Sequence, residues 1–198
     1  DTPSGKILLY TIEEGVLLYS DDPDVPAMTV GNWPPSVSIT VTNNGIHAGA
    51  GGRGGNFPAF GGDNGALGGD GGTALDGLGG YPITYVNNGI LAGGGGGGGG
   101  GPSGGFGGGG GAPYGLGGLN NPLIPGAARG FDGGRLVGGT FNPEPSPNPD
   151  QSGVGGDIGV DAPLQTDLGS QRRGGDAGQA IANGGAITII NNGQIIGS

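Results

Sequence analysis

Residues 83–101 read ITYVNNGILAGGGGGGGGG. The run Ile83-Thr84-Tyr85-Val86 is β-branched and aromatic, the composition of a strand. Asn87-Asn88-Gly89 predicts a tight turn, because Asn and Gly tolerate a positive φ. After Ile90-Leu91-Ala92 comes an unbroken glycine run, Gly93–Gly101. The strand-and-turn motif is not unique. It stands earlier as Ile39-Thr40-Val41-Thr42-Asn43-Asn44-Gly45-Ile46, and later as Ile187-Thr188-Ile189-Ile190-Asn191-Asn192-Gly193-Gln194. Before the last two copies, Gly69-Asp70-Gly71-Gly72-Thr73-Ala74-Leu75 resembles Gly175-Asp176-Ala177-Gly178-Gln179-Ala180-Ile181. A whole unit therefore repeats, made of glycine tract, small apolar stretch, strand and Asn-Asn-Gly.

A shorter period runs inside the glycine tracts. Gly62, Gly65, Gly68, Gly71, Gly77 and Gly80 fall on every third position, with Ala74 the one interruption. Gly49, Gly52 and Gly55 do the same, as do Gly153, Gly156 and Gly159. Three is the period of the extended polyproline II helix, which has no internal hydrogen bonds. Its backbone groups must find partners elsewhere. A glycine at every third residue lets a neighbouring helix come close enough to supply them, and Gly65, Gly68 and Gly71 should face such neighbours. The expected fold is therefore all-β and irregular. A small β connector over residues 1–36 precedes, over 37–198, a glycine-rich bundle of polyglycine-II-type extended helices mixed with short strands. A parallel β-helix is the alternative. Collagen is excluded by the broken Gly-X-Y period, and a pure glycine linker would have no use for recurring strands.

Composition agrees with a core made of main chain. Glycine supplies 57 of 198 residues, whereas apolar residues supply 32% and aromatics 6%, too few for a large side-chain core. The formal charge is −10 with six basic residues, which argues against binding nucleic acid or anionic lipid. No apolar run approaches the ~18 residues of a membrane span. The chain starts at Asp1 and stops at Ser198 inside a repeat, and it reads as part of a longer protein.

Within the connector, Lys6–Ile12 and Gly15–Tyr19 are β-prone runs around Glu13-Glu14-Gly15, which reads as a hairpin turn. Asp21-Asp22-Pro23-Asp24 reads as a solvated turn, with a calcium site as the less favoured reading. Three tracts interrupt the glycine pattern with aromatics and prolines: Asn56–Phe60, Ala112–Pro125 and Thr140–Asp150. They are expected at loop tips, the usual place for binding on a rigid scaffold. Phe57, Phe60, Tyr114 and Phe141 are the candidate contact residues, because aromatics bury much area at low entropy cost. Pro58, Pro113 and Pro143 would pre-order them.

Candidate chemistry is sparse. With no Cys and one His, thiol catalysis and the usual zinc sets are unavailable. His47 has no Gly-x-Ser-x-Gly elbow to serve and reads as structural or surface. No glycine fingerprint opens a helix after a strand, so phosphate binding is rejected. The calcium β-roll pattern fails at Thr73, where it needs Asp. Arg172-Arg173 reads as a solvated pair. No catalytic residue, metal ligand or cofactor site is expected, and the chain is read as a non-enzyme.

The stretches ITVTNNGIHAGAGG and PITYVNNGILAGGGGGGGGG resemble the glycine-rich C-terminal regions of tailed-phage fibre and tip proteins, including central-fibre host-specificity proteins of lambda-like phages. The expected bundle is also similar to the polyglycine-helix domain of T-even-type tail-fibre adhesins. The resemblance covers roughly residues 26–198. It implies a virion component at the tail tip or fibre that binds a bacterial outer-surface receptor, protein or lipopolysaccharide, through variable loops. It also implies other tail-fibre or baseplate proteins as partners and assembly as a homotrimer. The alternatives are a glycine-bundle structural or ice-binding protein, and a surface-polysaccharide depolymerase with a carboxylate pair.

Overall fold

The computed structural model describes residues 5–56, 67–101, 107–119, 129–139, 154–163, 165–167, 170–172 and 174–197. Strands are β1 (Lys6–Ile12), β2 (Leu17–Tyr19), β3 (Met28–Thr29), β4 (Val37–Asn43), β5 (Ile46–Ala48), β6 (Leu75–Asp76), β7 (Ile83–Asn87), β8 (Ile90–Ala92), β9 (Gln165–Asp167), β10 (Ser170–Arg172), β11 (Ile181–Ala182), β12 (Ile187–Asn191) and β13 (Gln194–Ile196). The chain is all-β, and among the described residues the only helical piece is a 3₁₀ turn at Gly184–Ala186.

The repeat sets the topology. Each strand–Asn-Asn-Gly–strand unit is an arch whose two arms enter different sheets. The first arms form one parallel sheet, β1-β4-β7-β12, and the second arms another, β2-β5-β8-β13. Register follows the motif, with Thr40 opposite Thr84 and Thr84 opposite Thr188, and Asn43, Asn87 and Asn191 in one row. A third parallel sheet, β3-β6-β11, closes the stack, and β9 and β10 form an antiparallel pair. Alternation along β4 and β7 turns Ile39, Val41, Ile83 and Tyr85 inward, onto Leu75, Leu91 and Val30. These residues make the one sizeable side-chain core among the described residues.

The expected hairpin at Glu13-Glu14-Gly15 is not formed. β1 pairs in parallel with β4 from Lys6 opposite Val37 to Ile12 opposite Asn43, and β2 pairs in parallel with β5. A turn flanked by two apolar runs has the same local signature in a hairpin and in an arch. The choice is made by distant strands that offer both arms an in-register ladder.

The glycine tracts form the expected bundle of extended helices, and Gly93–Gly98 is its axis. Successive N–H groups of this segment point in three directions. Gly94 and Gly97 donate to Gly72 and Gly69, Gly95 and Gly98 donate to Ala112 and Gly109, and Gly93 and Gly96 donate to Ile196 and Val160. Its carbonyls accept in the same rhythm, from Gly52 and Gly55, from Gly178 and Gly175, and from Gly156. The axis thus has a three-residue screw, and the N–H groups of Gly93–Gly98 and the carbonyls of Gly94–Gly98 all bond to other chain segments. Gly93–Gly98 are all buried, and a Cβ on any of Gly93–Gly97 would meet backbone. A Cβ on Gly94 would sit 1.7 Å from the Ala50 carbonyl oxygen, and one on Gly96 would sit 1.8 Å from that of Gly175.

Peripheral helices keep one face in water and place their side chains there. Arg53 is exposed between buried Gly52 and Gly54, and Leu116 and Leu119 are exposed three residues apart among buried glycines. An unbroken glycine run therefore marks a helix surrounded by others, and a period-three run marks one on the rim. Gly68 and Gly71 face the axis as expected, with a Cβ 1.7 Å from the Gly97 oxygen and 2.0 Å from that of Gly94. Gly65 lies outside the described residues.

Candidate functional site

The extended helices run back and forth between two ends of the bundle. At the end beside the β-stack the chain reverses through Pro113-Tyr114, through 134–137 and through 157–160, where Gly134 accepts from Tyr114 N–H and donates to Val137. At the far end Leu119 N–H donates to Asn56 Oδ1, Gly118 bonds to Gly108, and Gly130 bonds to Gly118. These residues border the segments 57–66, 102–106 and 120–128. The far end therefore gathers the described flanks of three separate segments within a hydrogen bond or two of one another. Gly139, which borders 140–153, bonds to Gly110 and Gly155 in the adjoining layer.

Of the four candidate contact residues, Phe57, Phe60 and Phe141 fall outside the described residues. Tyr114 is described, with a φ of 51°. It lies at the opposite end from those flanks, 47% exposed. Its ring packs edge-on against Tyr19 with centroids 5.2 Å apart. The two tyrosines wall an open groove of about 460 Å³ that also takes in Asp21, Arg53 and Leu116. Tyr114 is thus not brought together with the flanks of the other three. Leu67 and Leu119 border the far-end segments and are exposed. The aromatic-and-proline criterion passed over them. An apolar residue on the solvent face of a period-three tract is the signal that would have found them.

Carboxylates on the bundle have a common task. Asp132 Oδ1 accepts the Gly117 N–H at 2.8 Å, Asp157 that of Gly138 at 3.1 Å, Asp70 that of Asp176 at 2.9 Å and Asp161 that of Ala177 at 2.7 Å. A rim helix has N–H groups with no neighbouring carbonyl, and short acidic side chains supply the missing acceptor. Asp132 also pairs with Arg129 at 2.6 Å. In the first coil Asp22 Oδ1 accepts Asp24 N–H, closing the turn that the sequence places there.

His47 is buried, and its Nδ1 lies 2.7 Å from the Tyr85 hydroxyl. With Tyr85 donating to Nδ1 the ring is neutral, and Nε2 is buried without a hydrogen-bond partner among the described residues. Burial lowers the His47 pKa from 6.5 to about 4, with the Ala74 backbone opposing the shift. Burial also raises Tyr85 above the ordinary phenol value. A neutral, buried His–Tyr pair is a core element, in keeping with the structural reading of His47.

A lattice of main chain that carries exposed side chains at one end, next to a strand stack that anchors it, defines a rigid display scaffold. The chain belongs to the phage tail fibre adhesin Gp38 family, whose model matches residues 1–198. It is a virion tail-fibre component acting in host-receptor recognition and adsorption. It is similar to a chain of the solved gp37-gp38 adhesin tip complex of the bacteriophage S16 long tail fibre. The TM-score is 0.70 at 28% identity, covering 98% of this chain and 71% of that one. Among curated proteins nothing matches. Family and neighbour point to a receptor-binding, non-enzymatic role and to tail-fibre proteins as partners.

Proposed function

We propose that the far end of the glycine bundle, bordered by the exposed Leu67 and Leu119, is the host-contacting face, and that Phe57, Phe60 and Phe141 are receptor-contact residues. The observation behind this reading is the convergence of Asn56, Gly108, Leu119 and Gly130 through short hydrogen bonds at that end. Described flanks held side by side on a rigid lattice favour one composite contact surface at little ordering cost. The receptor is a bacterial outer-surface protein or lipopolysaccharide. Tyr114, the remaining candidate, would act from the other end through the Tyr19 groove. The deciding experiment is alanine substitution of Phe57, Phe60, Phe141 and Tyr114 one at a time, with adsorption to host cells and a thermal melt for each. Lost adsorption at unchanged melting is expected for the three phenylalanines. Unchanged adsorption in all four variants would move recognition elsewhere in the particle.

We further assign residues 1–36 the connection to the rest of the fibre. Their strands β1 and β2 each form one edge of a large sheet, opposite the β12 and β13 edges, and Ile7 and Leu9 are 70% and 74% exposed. Burying that edge in a homotrimer, or against a fibre partner of the kind present in the S16 complex, would remove an open ladder. Sedimentation of the assembled fibre tip distinguishes three copies from one. A non-enzymatic role is supported by Asp70, Asp132, Asp157 and Asp161, whose carboxylates are engaged with backbone N–H groups.

A further inference from the structure

The three arches carry two asparagine rows that differ in what fixes them. In the inner row Asn43 Nδ2 donates to Asn87 Oδ1, and Asn87 Nδ2 donates to Asn191 Oδ1, each at 2.8 Å. The second proton of each amide is held by a backbone carbonyl, that of Ile90 for Asn43 and that of Gln194 for Asn87. Its polarity is therefore locked. In the outer row Asn192 Nδ2 donates to Asn88 Oδ1 at 3.0 Å, and Asn88 Nδ2 donates to Asn44 Oδ1 at 2.9 Å. Those side chains make no other hydrogen bond among the described residues. Each is followed by glycine, the residue that least obstructs attack of its own amide nitrogen on the preceding side chain.

The three Asn-Gly pairs are not equally held. Asn44 is half-buried, its arch lying between the β1–β2 arch and the arch of Asn88. Asn88 is exposed but fixed from both sides, donating to Asn44 and accepting from Asn192. Asn192 is exposed and lies between β12 and β13, the outermost strands of their sheets. Its side chain makes one hydrogen bond, to Asn88, whereas Asn88 makes two. The Gly45 and Gly193 N–H groups hold Asn43 and Asn191 Oδ1 at 3.1 and 3.3 Å, and Gly89 makes no such bond among the described residues, so the edge position, not the attacking N–H, sets Asn192 apart from Asn88. Edge arches open most easily.

We propose that Asn192 is a site of spontaneous modification, deamidating ahead of Asn88 and Asn44. The Gly193 nitrogen attacks Asn192 Cγ, the Cγ–Nδ2 bond breaks, and ammonia leaves with the proton lost from the Gly193 nitrogen. Water then opens the succinimide at either carbonyl, giving aspartate or isoaspartate. The aspartate form fits the fold because the outer row can reverse. Asn88 and Asn44 turn their amides over, so that Asn44 donates to Asn88 and Asn88 to the new carboxylate. Isoaspartate lengthens the backbone by one carbon and opens the edge arch.

The test is ageing of the intact folded chain in water enriched in heavy oxygen, followed by peptide mass spectrometry. The same chain aged in denaturant calibrates the three sites. In denaturant all three convert alike. In the folded chain heavy oxygen should enter at 192 about tenfold or more faster than at 44, with 88 between. Faster conversion at 44 or 88 overturns the proposal, as do equal rates at all three sites. So does a folded chain in which 192 stays unconverted while the denatured chain is half converted. A melt of Asn192→Asp within a degree or two of the unsubstituted protein supports the reversal of the outer row, and a large drop refutes it.

Discussion

The β-stack and the glycine bundle solve one problem in two ways. Both bring backbones close and must satisfy every N–H and C=O. In the stack the bonds lie along one direction, and the faces left over are covered by Ile39, Val41, Ile83, Tyr85, Leu75 and Leu91. Around Gly93–Gly98 the bonds radiate in three directions, and no face is left to cover. A side chain in the stack adds apolar burial. On the bundle axis it only obstructs. The two halves should therefore respond oppositely to a change in side-chain size, and the largest expected effects come from adding atoms to the bundle.

Gly96→Val and Gly68→Val test this most severely. The new Cβ would lie 1.8 Å from the Gly175 oxygen in one and 1.7 Å from the Gly97 oxygen in the other. No flexible side chain can give way, so backbones must separate and several hydrogen bonds go together. The expected cost exceeds the ~4–5 kcal/mol at which a substitution becomes exceptional. Leu75→Ala in the stack should cost about 2–5 kcal/mol, the range for a core cavity. Thermal melts of the three variants side by side give the comparison. If either valine variant melts above the alanine variant, main-chain packing is not what holds the bundle.

The inner asparagine row allows a smaller change with no added atoms. Asn87→Asp removes the donor that serves Asn191 and Gln194 and puts a carboxylate in a fully buried position. A loss of about 3–5 kcal/mol is expected from an uncompensated buried charge. Denaturant midpoints should show part of it recovered at low pH, where the acid becomes neutral. A midpoint equal to that of the unsubstituted protein would show the inner row to be dispensable.

His47 supplies a third step without mutation. Its folded pKa of about 4 lies below its ordinary 6.5, so the unfolded chain binds the proton more readily. This contribution to stability is complete above pH 6.5, falls between pH 6.5 and about 4, and is flat below that. A shift of this size amounts to about 3 kcal/mol. Denaturation at pH 7 and pH 4.5, compared with a His47→Gln variant, isolates the effect. A slope that survives the substitution assigns the loss to other groups.

Much of this was legible in the residues, and the reasons differ by region. Asn-Asn-Gly after a β-branched run fixed both the repeat and its register, because identical units can stack in register. The period-three glycines gave the helix type and the inward side of Gly68 and Gly71. Glu13-Glu14-Gly15 reads as a hairpin but folds as an arch, since strand partners more than twenty residues away decide it. The Asp70 and Asp161 acceptors were not foreseen, because which N–H lacks a carbonyl depends on which helices lie at the rim. For the contact surface, the aromatic criterion selected Tyr114 along with Phe57, Phe60 and Phe141. Sequence alone does not tell at which end of a back-and-forth path a turn falls, and Tyr114 turns at the stack end.

The smallest effect belongs to those rim carboxylates, and it sharpens the contrast between axis and rim. Asp161 Oδ1 accepts the Ala177 N–H at 2.7 Å in an exposed setting. Asp161→Ala leaves that N–H to water or unpaired, at a cost of about 1 kcal/mol. Asp161→Asn keeps an oxygen acceptor in the same place and should be close to neutral. The acceptor, not the charge, is what a rim helix lacks, so the two variants must separate in a denaturant titration while their charges stay equal. Should Asn fall with Ala, the charge rather than the hydrogen bond stabilises the rim. The aspartates along the glycine tracts would then act through their field on the outward N–H dipoles instead of standing in for an absent neighbouring carbonyl.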